Sequence, residues 1–253
     1  MENRAETYRQ PPRAQQPAFN APTVIVVSIA VLAALHLLRT QFLGREANID
    51  VLLNFSFISE CYSAPPVDVC ALRIPGTGFW SPLSHAFLHA DWMHLAANCL
   101  WLLAFGTPVA RRLGLAPFLI FMAIGAIAGA GLFYLFNPTL LAPMIGASGV
   151  VSALMGGAAR FALGAPGRIG RRDVAYAPRL SIAEALADRT VIIFVAVFFL
   201  TNIALGSGFG GIAIAWEAHL GGFAFGFLCF GAFDRGAPRR PRFEDGGLPP
   251  RAA

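Results

Sequence analysis

No charged residue occurs between Leu113 and Ala159, and that run constrains most of what this chain can become. A water-soluble domain carries about 25% charged residues. Here charged residues make up 13% of 253 positions and hydrophobic ones 56%. A helical crossing of a bilayer needs roughly 20 apolar residues. Six apolar segments can be read: Thr23–Leu38, His85–Ala110, Leu115–Phe136, Gly146–Ala162, Val191–Leu205 and Ile212–Phe233. The Asn-Pro of "NPTLLAP" marks a turn between the third and fourth, and the glycines of "GSGFGG" break the fifth from the sixth. Backbone groups in lipid must be satisfied within the segment, so these are helices. The expectation is an all-α polytopic membrane protein with one transmembrane domain over residues 23–234. A long loop at about 44–82 lies outside the membrane. The segments 1–22 and 235–253, rich in Pro and Arg, read as disordered cytoplasmic tails.

Charge orients the chain. All 19 basic residues are Arg, and a net charge of +5 would suggest nucleic acid in a soluble protein. Here the arginines gather at the ends of apolar tracts. With both termini on one side, that side holds every arginine except Arg39, Arg45 and Arg73. The excess of Arg puts both termini in the cytoplasm. The partners expected are therefore the lipid bilayer and other membrane proteins, with no nucleic acid, and the location a bacterial inner (plasma) membrane. The apolar run of the first segment is long and no small-x-small site ends it, so it reads as an uncleaved helix. Cys61 and Cys70 share the outside loop, where a disulfide and two free thiols both fit.

Polar side chains inside spans are costly and mark function. The second span opens "HAFLHADWMHLAAN", with His85, His89, His94 and Asn98; the fourth carries Ser148 and Ser152; the sixth carries Glu217 and His219 in "WEAHLGG". Spans two, four and six all run from outside to inside. His94 with Asn98, Ser148, and His219 therefore share a depth of roughly 5–15 Å below the outer surface. His94 and Asn98 lie on one helix face. His219, Gly222 and Gly226 form a stripe, as do Ser148, Ser152 and Gly156, and small residues let two helices approach closely. Pressing the stripes together brings Ser148 within hydrogen-bond reach of His219, the arrangement an activated serine needs. Gly146 and Gly149 around the serine, and Gly222, are read as the residues that allow this closure. Serine in a first helical turn also has free backbone N–H groups beside it, suited to a developing oxyanion.

Other chemistries fit less well. His85, His89, His94 and Asp91 are zinc-ligand types, but H-E-x-x-H is absent and residues five apart diverge by about 140° on a helix. No metal and no cofactor is expected. A transporter would show inverted repeats with paired broken helices, and the two halves show none.

The motifs "HADWMHLAAN", "GASG" and "AHLGG", in that order on the second, fourth and sixth spans, resemble those of rhomboid intramembrane serine proteases. The resemblance implies a six-transmembrane-helix rhomboid-type bundle. It implies an endopeptidase that hydrolyses transmembrane substrate proteins near the outer membrane face. Ser148 would be the nucleophile and His219 the general base, with no acidic third member. His94, Asn98 and the Ser148 backbone N–H would form the oxyanion hole, with His89 in support. Glu217, two residues from His219, faces away and reads as a solvated interfacial carboxylate. The chain departs from many family members in having Ser152 where a Tyr packs under the histidine, and Ala110 where a Glu follows the second span. The alternative function is a catalytically silent rhomboid-like binder of membrane helices. Retention of both Ser148 and His219 argues for the protease.

Overall fold

The structure, a computed structural model, describes residues 21–63, 68–163, 172–206 and 215–236. The expected tails and most of "GSGFGG" lie outside them. The described residues form helices α1 (Thr23–Leu37), α2 (Arg45–Phe55), α3 (Asp68–Ala71), α4 (Thr77–Ser84), α5 (Trp92–Trp101), α6 (Thr107–Leu113), α7 (Leu115–Phe136), α8 (Ser148–Ala159), α9 (Ile182–Ala187), α10 (Arg189–Gly206) and α11 (Trp216–Phe233). No strand occurs among them; a single antiparallel bridge joins Phe57 to Met144. The protein is an all-α, multi-pass membrane protein.

Four helical stretches are long and apolar enough to cross a bilayer: Thr23–Phe42, Trp92–Leu113, Leu115–Phe136 and Arg189–Gly206. The first runs on from α1 through a wide π turn at Leu38–Phe42, and a similar turn at Leu102–Gly106 joins α5 to α6. The fourth and sixth sequence segments correspond to α8, of 12 residues, and α11, of 18. At 1.5 Å per residue α8 is about 18 Å long, well short of a hydrocarbon core of roughly 30 Å. It can be short because it touches almost no lipid: every residue from Gly149 to Ala159 is buried. The C-terminal end of α8 lies among charges. Arg160 there donates to the carbonyls of Leu180 and Phe227, and Arg112 pairs with Asp234 at 3.0 Å.

Glycine sets the packing of α8 on α11. A Cβ at Gly222 would lie far inside van der Waals contact with the Gly149 carbonyl oxygen, and one at Gly226 likewise with that of Ala153. The two backbones touch directly. The contacting stripe on α8 is thus Gly149, Ala153 and Gly156, one residue on from the expected Ser148 and Ser152 for its first two members. Ser148 is left at the edge of the seam. Further along α8, Phe121, Phe161 and Phe230 fill the end of the core away from Ser148, with Phe161 stacked on Phe230 at 5.3 Å.

Two further expectations change. The second span does not begin at His85: a 3₁₀ turn at His85–Phe87 and an extended stretch through Asp91 precede α5. Asp91 is the reason, since its carboxylate accepts from the His94 backbone N–H at 2.8 Å and caps the helix there. The described residues of the expected loop at about 44–82 are largely helical, and Cys61 is joined to Cys70 by a disulfide.

Gly226→Ala must push two backbones apart and is expected to cost at least about 3 kcal/mol, the upper range for overpacking. Gly131→Ala, where a Cβ meets nothing within 4 Å, should leave stability level or raise it. Asp234→Ala strands the fully buried Arg112 guanidinium and should cost roughly 3–5 kcal/mol. Thermal unfolding in detergent checks all three.

Candidate active site

Ser148 is the first residue of α8, so its backbone N–H and those following it have no intrahelical acceptor. The segment leading to it is held from three directions. Met144 exchanges backbone hydrogen bonds with Phe57 at 2.8 and 3.0 Å. The Gly146 N–H donates to the His85 carbonyl at 3.0 Å. The Ala147 N–H donates to His89 Nε2 at 3.4 Å, which gives the fully buried His89 a definite role beneath the serine. Arg39, in the π turn that follows α1, holds this scaffold from outside by donating to the His89 carbonyl and, at 2.8 Å, to Asn48.

His94 stands in the first turn of α5. Its Nδ1 accepts from the Ala90 N–H at 3.4 Å, so the ring proton resides on Nε2. That Nε2 lies 2.7 Å from the point where a Gly146 Cβ would stand, and the Ser148 hydroxyl oxygen lies 3.7 Å from the same point. Gly146 itself has φ +124°, a conformation side chains resist. Glycine here both turns the chain and leaves room for an N–H donor to come up beside the serine. Asn98 is buried one turn on, its amide donating to the His94 carbonyl at 2.9 Å. Asp91, just outside the span, has its carboxyl held below the usual carboxylate range by the N–H groups of His94 and then Met93. The cap persists at every pH above that range and is lost only as acid protonates it.

His219 sits half-buried in the first turn of α11. The contacts of Gly149 with Ala218 and Gly222 place Ser148 and His219 at the same level of the two helices. The direct hydrogen bond expected between them is not made. The register of the seam leaves Ser148 at its edge, and the His219 ring is drawn to α10, where its Nδ1 meets Asn202 Oδ1 at 2.5 Å. Asn202 is the residue that sequence reasoning missed. Its signal was an amide in the apolar run "FFLTNIALG". Glu217 does face away from the site, but it is not solvated: it is buried and accepts from Asn137, at the end of α7, at 3.0 Å. Among the described residues no three His, Cys, Asp or Glu side chains gather as metal ligands. An apolar cavity of about 280 Å³ lies against Ala147, Val150 and Val151, walled by Val31 and Leu32 of α1 and Met122 of α7.

Comparison with known proteins adds a family. A rhomboid-domain family model matches residues 76–234. The chain is 30% identical to rhomboid-related protein 2 of Mus musculus over 173 residues, 65% of this chain and 52% of that protein. It is 38% identical to the rhomboid protease GlpG of Serratia proteamaculans over 77 residues, 30% of this chain and 27% of that protein. Against GlpG of Yersinia pestis it is 30% identical over 149 residues, 59% and 46% of the two chains. The chain thus spans about half or less of the length of these relatives.

Gly146→Ala should force the His94 ring away from Ser148 while the bundle stays folded. The expected outcome is labelling of Ser148 by a fluorophosphonate slowed at least about 10-fold, since small displacements of positioned groups cost that much or more. Helix content by circular dichroism should be unchanged.

Proposed function

The chain belongs to the rhomboid family, and on that premise we propose that it is an intramembrane serine endopeptidase working through Ser148 and His219. One observation carries this reading. A serine begins a buried helix too short to cross the membrane, level with His219 on a helix in backbone contact with it, and its hydroxyl and the His94 imidazole both lie close to Gly146.

In the reaction His219 Nε2 takes the Ser148 hydroxyl proton as the oxygen attacks a peptide carbonyl. The carbonyl oxygen becomes an oxyanion, which the Ser148 backbone N–H, His94 Nε2–H and the Asn98 amide stabilise. The protonated His219 then gives its proton to the leaving amine, and an acyl ester remains on Ser148. Water, deprotonated by His219, attacks this ester and releases the carboxylate product and the serine. Each oxyanion donor is worth about 3–4 kcal/mol in comparable sites.

The substrate class is a transmembrane protein. The site lies within the membrane's thickness, so a substrate helix reaches it sideways and unwinds near its outer end. Weak helix formers near the cut favour that step. The apolar cavity beside Ala147 supports entry of apolar side chains. The same reading places six spans in the membrane, with both termini in the cytoplasm and the site in the outer half. Residues 23–234 form the protease domain.

Purified protein with a labelled single-pass substrate tests the reading. Ser148→Ala and His219→Ala should each lower cleavage by at least about 10³-fold, as loss of either member of a nucleophile–base pair does. EDTA should have no effect. Cleavage that survives Ser148→Ala, or that EDTA removes, would overturn the assignment.

A further inference from the structure

We propose that Asn202 is the positioning residue for the base: its amide oxygen accepts the Nδ1–H of His219, holding the ring in the tautomer whose Nε2 can take the serine proton. This rests on the assignment of Ser148 and His219 above. The amide's orientation is fixed by its other end, because Asn202 Nδ2 donates to the Phe198 carbonyl at 2.7 Å. Turning the amide over would set its oxygen against that carbonyl oxygen. Oδ1 therefore faces His219, at 2.5 Å, and the ring nitrogen it meets must be the donor. A neutral imidazole with its proton on Nδ1 has its lone pair on Nε2.

The contact is built into the helix pair. Phe198 and Phe223 stack at 4.7 Å, one turn before Asn202 and one turn after His219. The two pairs are consecutive rungs between α10 and α11, so packing sets the register that brings amide to imidazole. Within α10 only Val191 and Asn202 are buried, and the other described residues face outward or lie half-covered. An amide on so lipid-exposed a helix is costly without a partner, and His219 is the side chain it meets. Among the described residues no aromatic ring packs on His219, and Ser152, one turn after Ser148, brings none. Among the described residues Asn202 is the side chain that orients the base.

The experiment uses the full chain in detergent and follows three readouts. In Asn202→Leu, similar in shape but without the acceptor, kcat should fall at least about 10-fold with KM unchanged within about 2-fold, since displacing a positioned group costs this much. The unfolding temperature should hold. Asn202→Asp, which when protonated keeps an oxygen toward Nδ1 and an O–H toward the Phe198 carbonyl, should recover most of the loss. With ¹⁵N-labelled histidine in a Ser148→Ala background, His219 should carry its proton on Nδ1, and Asn202→Leu should shift it toward Nε2. An Asn202→Leu protein with undiminished kcat, a kcat loss that tracks a lowered unfolding temperature in both variants, or a His219 protonated on Nε2 at the outset would each overturn the proposal. Failure of the protease reading looks different: wild-type protein then shows no Ser148-dependent cleavage, while the nitrogen spectra still report on the Asn202 contact.

Discussion

The main chains of α8 and α11 touch, and the architecture depends on that contact. Ordinary helix pairs stand 8–10 Å apart because side chains hold them there. In lipid, where no hydrophobic force drives helices together, close backbone approach gives the van der Waals contact that holds them. Gly222 and Gly226 on one side, against Gly149 and Ala153 on the other, remove the spacers. That closeness sets Ser148 and His219 level across the seam. It also buries α8 so completely that the helix need not reach both faces of the membrane.

Around this seam the site is assembled from irregular backbone. Non-helical segments at membrane depth are tolerated only where protein satisfies their polar groups, and here several of those groups are paired. Phe57 pairs with Met144, His85 and His89 take the N–H groups of Gly146 and Ala147, and Asp91 caps α5. Arg39 ties the same stretch to α1 and α2. The opposite end is closed by charge: Arg112 lies against Asp234, bonds the carbonyls of Ala175 and Ala177, and stands over the Phe161 ring at 4.6 Å. A stiff, ionic end of the bundle supports a polar site at the other.

Much of this was legible in the sequence because membranes simplify the problem. Uncharged run length announced the helices, arginine placement suggested their direction, and rare polar residues inside apolar runs pointed to Ser148, His94, Asn98 and His219. What stayed illegible was of a different kind. The start of α5 depends on one Asp side chain turning back to a backbone N–H, which hydropathy does not register. The seam's register is a matter of one residue, about 100° of helix rotation, and small residues at 148, 149, 152 and 153 satisfied either choice. Glu217 drew attention only for its spacing from His219, yet its environment is set by Asn137, 80 positions away. Asn202 went unread because an amide alone in a span carries no motif; only the neighbouring helix gives it meaning.

At Gly222 and Gly226 every coding change adds a Cβ, and the obstacle each would meet is a carbonyl oxygen of the opposing main chain. No codon on α8 can remove that oxygen. A side-chain clash can be relieved by trimming the facing residue, and such pairs drift together over evolutionary time. A clash with backbone has no such counterpart. These two glycines are therefore locked without partners: no change of side chain on the facing helix can make room for a replacement.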